Sequence, residues 1–173
     1  MSDSVNHPSH YTAYDIEVIE LTRRLNFDAG NCVKYILRAP FKGKTYEDLC
    51  KAMWYADDIV HNGKKSSRMF LKAKAYDKLY KKVHYFENRI MASDIPCPDL
   101  FCDLYKAVFD ASIAAYNTPC STFKSAVLEI NSILTEIFND EEWNEYRMKQ
   151  APQVSKVEIL TTEEQPELTT KSE

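Results

Sequence analysis

Gly30-Asn31-Cys32-Val33-Lys34-Tyr35-Ile36-Leu37-Arg38-Ala39-Pro40-Phe41-Lys42-Gly43-Lys44 is the stretch on which the fold turns. Val33, Ile36 and Leu37 recur at helical spacing and make an apolar face that needs a core to cover it. Pro40 stops the helix, because it has no amide hydrogen to donate and its ring clashes with the preceding turn. Lys42-Gly43-Lys44 then follows as an exposed turn. Asn31, Lys34 and Arg38 fall on the opposite face at i, i+3 and i+4 spacing. Lys34, Arg38, Lys42 and Lys44 thus converge on one helix end. Such a cluster is either a grip for a phosphate chain or a solvated helix face followed by a basic turn.

Upstream, Ile16, Val18, Ile19, Leu21 and Leu25 predict a helix over Tyr14 to Leu25, with Asp15, Glu17 and Glu20 near its positive end. Asp28 is the expected N-cap of the central helix. Downstream, Thr45 opens a third helix, with Asp48 completing an arrangement like a capping box. Leu49, Ala52, Met53, Ala56, Ile59 and Val60 form its buried stripe. Asp48, Lys51, Tyr55 and Asp58 share another face, where the acids either pair with Lys34 and Arg38 or hold Mg2+ or a ribose. Asn62-Gly63 ends this helix.

A fourth helix is predicted from Ser66 to Met91, with a nearly heptad seam of Met69, Ala73, Tyr76, Tyr80, Val83 and Ile90. That seam suits an antiparallel partner or a second subunit. Residues 64–82 hold eight lysines and arginines against the single acid Asp77. They read as a polyanion-binding strip or as a charged solvent face. Asp94-Ile95-Pro96-Cys97-Pro98 breaks the chain, and Asp99 caps a fifth helix to about Tyr116. Asn117-Thr118-Pro119 breaks it again, and Ser121 caps a sixth helix through Val127, Ile130, Leu134 and Phe138. Glu141 to Lys149 adds a short seventh helix with Trp143 and Tyr146 as docking residues. Beyond Pro152 the acidic composition predicts a disordered tail. No stretch alternates like a strand. The expected fold is therefore all-α, a bundle of six to seven helices with an extended N-terminal arm. The expected organisation is a module over 1–62, a helical extension packed on it over 63–150, and a tail over 151–173.

Composition narrows the function. An apolar share of 45% and a charged share of 28% are ordinary for a soluble globular chain. The net charge of −4 argues against a general nucleic-acid coat. No apolar run approaches the roughly 18 residues of a membrane span, and the first residues lack the pattern of a signal peptide. The expected location is the cytoplasm of a bacterial host. The five cysteines form no CxxC pair, which signals neither a zinc knuckle nor a disulfide scaffold. Three glycines exclude a dinucleotide fingerprint, and no P-loop motif is present. In the first segment, His7, His10 and Tyr11 either lie over a ligand or belong to an ordered arm. They have no third ligand that would make a metal site.

Taken together, Asn6-His7-Pro8-Ser9-His10-Tyr11, Ile16-Glu17-Val18-Ile19, Gly30-Asn31, and Lys34-Tyr35-Ile36-Leu37-Arg38-Ala39 resemble a small bacteriophage protein family of largely unknown function. Lys42-Gly43, Glu47-Asp48-Leu49, Lys51-Ala52 and Trp54-Tyr55 complete the pattern. The resemblance covers roughly residues 5–60. The family includes a nucleotide kinase that lacks a P-loop, phosphorylates deoxynucleoside monophosphates (notably dGMP and dTMP) and forms large oligomers. In that kinase the shared module lies at the C-terminus, so the long helical extension here departs from it.

The resemblance implies nucleotide binding by a homo-oligomer, with ATP or dTTP as phosphate donor and Mg2+ as cofactor if the chain is a kinase. Catalysis would rest on positioning and charge neutralisation. Lys34, Arg38 and Lys42 would hold phosphates, and Tyr11, Tyr35 or Trp54 would stack on a base. Asp48 or Glu17 would take the acceptor's proton or bind Mg2+. His7, His10, Asn31 and Tyr55 complete the expected nucleotide contacts.

A second reading needs no general base: a non-catalytic phage protein that sequesters a nucleotide, or binds and inhibits a host defence protein. A third, a MazG-like pyrophosphatase, requires two acidic pairs around Mg2+. Only Glu17 and Glu20 supply one. A structural role in the virion is the remaining reading.

Overall fold

The computed structural model describes residues 13–62, 73–113 and 120–150. Among these are seven helices and no strand, in agreement with the all-α expectation: α1 (Val18–Thr22), α2 (Phe27–Arg38), α3 (Thr45–Asn62), α4 (Ala73–Met91), α5 (Pro98–Ile113), α6 (Cys120–Asn139) and α7 (Glu141–Gln150). No helix among the described residues is long and apolar enough to cross a membrane. His7, His10, Tyr11, residues 64–72 of the 64–82 strip and the acidic tail lie outside the described residues.

Two antiparallel helix pairs build the body. α2 packs along α3 and α5 along α6, while α6 covers α3, α5 covers α2, and α4 lies on α5. The stripe read from α3 is the one buried, with Leu49, Ala52, Met53, Ala56 and Ile59 inside. Opposite it lie Ile36 and Leu37, and the centre is filled by Phe86, Phe101, Leu104, Tyr105, Ile130 and Ile137. Each such side chain contributes about 1.5–3 kcal/mol by leaving water.

The first helix is much shorter than its pattern. Tyr14 turns its hydroxyl into the core to donate to the Leu37 carbonyl at 2.6 Å, and the Asp15 amide donates to the Tyr85 hydroxyl at 2.9 Å. These long-range bonds hold the chain out of a helix until Glu17, whose backbone is extended. At the other end the Gly30 position explains the close fit of α1 on α2, since an added Cβ would stand 3.2 Å from the Thr22 carbonyl oxygen. The cap of α2 is Asn26, not Asp28. Its side chain accepts from the Ala29 amide at 2.8 Å, and its own amide donates to the Ser112 hydroxyl at 3.4 Å. Pro40 ends α2 as read, and Gly43 supplies the positive φ of 67° that the following turn requires.

Other elements match in part, with Val83, Ile90, Ile130 and Leu134 buried as read. In α4 the inward seam is Leu79, Val83, Phe86 and Ile90, while Tyr80 is exposed and packs edge-on to His84. In α6 Ile133 and Ile137 turn inward, and Phe138 stays exposed. α5 begins with Pro98 rather than behind an Asp99 cap, the place where a missing amide hydrogen costs least. Trp143 does dock α7. It is 1% exposed, stacks on Tyr46 at 5.8 Å and meets Phe101 edge-on at 5.6 Å. Cys32, Cys50, Cys97 and Cys102 are free thiols, three of them buried.

Candidate functional site

Most of the expected site residues stand on one half-buried strip running along α2 and α3. Because the two helices are antiparallel, Arg38 faces Asp48, Tyr35 faces Tyr55 and Lys51, and Phe27 faces Tyr55 from the far end.

The foot of the strip is an ion pair. Arg38 grips Asp48 through both nitrogens, Nε at 2.7 Å and a terminal nitrogen at 2.5 Å. Side-chain exposures of 9% and 1% put this fork out of water. Asp48 therefore neutralises the neighbouring helix rather than capping its own. Thr45 donates its hydroxyl to the Ala39 carbonyl at 3.1 Å, away from the expected capping box. A buried, two-pronged pair of this kind fixes the register of one helix on the other.

Above the fork sits Tyr35, ringed by cations. The Arg38 guanidinium lies 4.6 Å from its ring centroid, Lys34 Nζ 4.4 Å and Lys51 Nζ 5.7 Å. Tyr55 stacks on it at 5.8 Å with planes 15° apart. Asn31 orients the nearer lysine: its amide donates to the Phe27 carbonyl at 2.8 Å, and its oxygen accepts from Lys34 Nζ at 2.5 Å. Partial burial holds the Lys34 ammonium below its ordinary pKa. Arg38, Lys42 and Lys51 push the same way, and Asp48 opposes them. A hydrogen bond to Glu47 raises Lys51 instead.

Beyond Tyr55 the strip becomes aromatic and exposed. Trp54 meets Tyr55 edge-on at 5.0 Å, and Phe27 does so at 6.0 Å. Their exposures are 63% and 74%, which leaves two large rings in water. Past them, the Asp28 carboxyl is raised above its ordinary pKa, first by partial burial and then by the Asp58 charge. Asp58 itself accepts from the Asn62 amide at 2.8 Å.

The structure thus gathers Asn31, Lys34, Tyr35, Arg38, Asp48, Trp54 and Tyr55 on one strip, with the exposed Lys42 acting on it through charge. Lys51 and Phe27 join them. Lys51 had already fallen on the right face by spacing, whereas nothing in the local pattern marks Phe27. Glu17, the alternative base, stands at the N-cap of α1. Glu20 is ion-paired to Lys82 rather than grouped with a second acidic pair. Among the described residues no three metal-ligating side chains come together, and Asp48 has both oxygens engaged by Arg38. A separate cavity of about 350 Å³, lined by Phe41, Thr45, Arg89, Ser93 and Asp94 among others, holds none of the candidate residues.

No curated protein and no solved structure matches the chain. Residues 5–57, which run from ahead of α1 through most of α3, match the model of a family described as a protein of unknown function (DUF3310), the small phage family whose motifs the sequence carries.

Proposed function

We propose that the α2–α3 strip binds a nucleotide for a phage accessory protein, with phosphates on Lys34, Lys51 and Lys42 and the base against Trp54 or Tyr55. One observation carries this reading: three cationic groups are drawn to a single tyrosine ring, beside exposed aromatic surface. Crowded, partly dehydrated cations gain when an anion joins them, and flat exposed rings offer a stacking platform. Arg38 serves as the anchor that sets Tyr35 in place, with Asp48 as its counter-ion. The resemblance adds an activity, phosphoryl transfer from ATP or dTTP to a deoxynucleoside monophosphate. Mg2+ would then be carried chiefly by the phosphates, as that ion commonly is.

A second reading, binding without turnover, is favoured by the state of Asp48. Its side chain is 1% exposed with each oxygen bonded to Arg38, so reaching a substrate proton or Mg2+ would mean opening the fork. A sequestering module needs only the cations and the rings.

The deciding experiment pairs product analysis with thermal shift. Each deoxynucleoside monophosphate is incubated with ATP or dTTP, with and without Mg2+, and compared with Lys34→Gln and Tyr35→Leu proteins. Diphosphate formed by the natural chain and lost in both variants supports transfer. A rise in Tm without product supports sequestration; binding at a hundred times Kd stabilises by about 2.7 kcal/mol. No shift with any nucleotide overturns the reading. Arg38→Gln is a poorer probe, because it also strips the buried Asp48 of its partner.

A further inference from the structure

The turn that joins α2 to α3 and the C-terminal end of α4 enclose the cavity of about 350 Å³ that stands apart from the strip. That is the low end of the roughly 300–1,000 Å³ range of small-molecule pockets. Pro40, Phe41 and Ala92 give it an apolar wall. The Phe41 ring meets Tyr14 edge-on with centroids 5.1 Å apart, and the Arg89 guanidinium lies 5.9 Å from the same Tyr14 ring. One buried tyrosine thus seats both the apolar and the cationic side of the cavity. Beyond that ring contact Arg89 makes no hydrogen bond or ion pair among the described residues. Nor does Asp94, although the two line one space.

Two hydroxyls complete the lining, and both place their hydrogens inside the chain. Thr45 donates to the Ala39 carbonyl at 3.1 Å and Ser93 to the Ile90 carbonyl at 2.6 Å. A hydroxyl has one hydrogen, so toward the cavity each of these oxygens can only accept. The polar lining is therefore one planar cation, Arg89, and three acceptors: the Asp94 carboxylate, Ser93 Oγ and Thr45 Oγ1. A protonated primary amine has three donors and no acceptor, which answers the second set. A carboxylate takes a guanidinium through two parallel bonds, which answers the first. A lone phosphate would satisfy Arg89 but be repelled by Asp94. We propose that this cavity binds a free α-amino acid with an apolar side chain. Its carboxylate lies on Arg89, its ammonium among Asp94, Ser93 and Thr45, and its side chain against Phe41, Pro40 and Ala92. The site uses no residue of the strip and does not depend on the nucleotide reading. It does bear on the same helix end, since Tyr14 and Thr45 hold the Leu37 and Ala39 carbonyls on either side of Arg38.

Isothermal titration calorimetry on the full chain, without nucleotide, tests it with free phenylalanine and leucine. Both should bind, and glycine, with no side chain to bury, about tenfold or more weakly. N-Acetyl-phenylalanine lacks the ammonium and phenylalanine amide lacks the carboxylate, so each should also lose about tenfold or more. Arg89→Gln and Asp94→Asn should weaken phenylalanine to the same degree. The losses should pair off: Asp94→Asn should leave binding of N-acetyl-phenylalanine unchanged, and Arg89→Gln should leave that of the amide unchanged. Both positions are exposed, and unchanged helical circular dichroism would show that each variant folds. No binding of any standard amino acid at millimolar concentration overturns the proposal. So does N-acetyl-phenylalanine binding as tightly as phenylalanine, which would make the cavity a site for an anion alone. Because nucleotide is absent and no strip residue is changed, failure here leaves the nucleotide reading where it stood, and failure of the nucleotide assay leaves this one.

Discussion

The α2–α3 hairpin and helix α5 are both amphipathic and helical, yet they use aromatic residues in opposite ways. Phe101, Tyr105 and Phe109 of α5 are all buried, whereas Phe27 and Trp54 of the first hairpin stand in water. Beneath its exposed rings the first hairpin is tied by a buried ion pair and by the stacked rings of Tyr35 and Tyr55. The second relies on apolar contact, with Tyr105 adding one hydrogen bond, its hydroxyl donating to the Val83 carbonyl at 3.3 Å. Apolar burial stabilises without specifying chemistry. A hairpin that keeps its rings outside and fixes its register with charge has kept that surface for something else.

The largest test of this contrast is Asp48→Ala. It strips Arg38, 7% exposed, of its two-pronged bond to Asp48 and should cost about 3–5 kcal/mol in urea unfolding. Replacing both members, Arg38→Met with Asp48→Leu, should recover most of that loss. A cost for Asp48→Ala below about 1 kcal/mol would mean that the pair is solvated and the hairpin is held like the other one.

The two tryptophans sharpen the comparison. Trp143→Ala opens a cavity between Tyr46 and Phe101 and should also cost about 3–5 kcal/mol. Trp54→Ala, measured in dilute protein, should stay within about 0.5 kcal/mol. Trp143→Phe should be far milder than Trp143→Ala, because it keeps most of the volume and removes a buried indole N–H that meets no acceptor among the described residues. Equal costs for the two alanine variants would erase the distinction between rings that hold the fold and rings left in water.

The smallest effect concerns Asp28, which lies near Asp58. Asp28 has a raised pKa in the fold, so the folded chain holds its proton more readily than the unfolded one. Its contribution favours the fold in acid and is lost as pH rises through the carboxylate range. Asp28→Asn should therefore match the natural chain at low pH and melt slightly higher at neutral pH. A difference that does not change with pH would show that Asp58 does not strain this end.

What the sequence made legible was periodic. The stripe of α3 could be read because Leu49, Ala52, Met53, Ala56 and Ile59 keep one phase through a helix of 18 residues. α4 slipped by one position because tyrosine suits core and surface alike, so Tyr80 took the place of Leu79 in the reading. The cap of α2 was out of reach for a different reason. Asn26 and Asp28 are both good cap residues, and the choice is settled by Ser112, 86 positions away. Cations and rings of the strip followed from helical spacing on two neighbouring segments. Lys51 had the right phase but no reason to be counted until the fold set it against Tyr35. Phe27 gave no warning, since a large apolar residue at a helix start is ordinarily packed. The Arg38–Asp48 fork was one of several pairings the charges allowed, and only the register of the hairpin selects it.

The unequal burial of Trp54 and Trp143 makes the chain its own optical instrument. These are its only two tryptophans, one largely in water and one 1% exposed. A soluble quencher should reach the first and spare the second, so the emission separates into two signals without any label. The quenchable part reports what covers the α2–α3 strip. The protected part reports whether α7 still lies against Tyr46, and hence whether the last helix holds onto the segment that carries the family motifs.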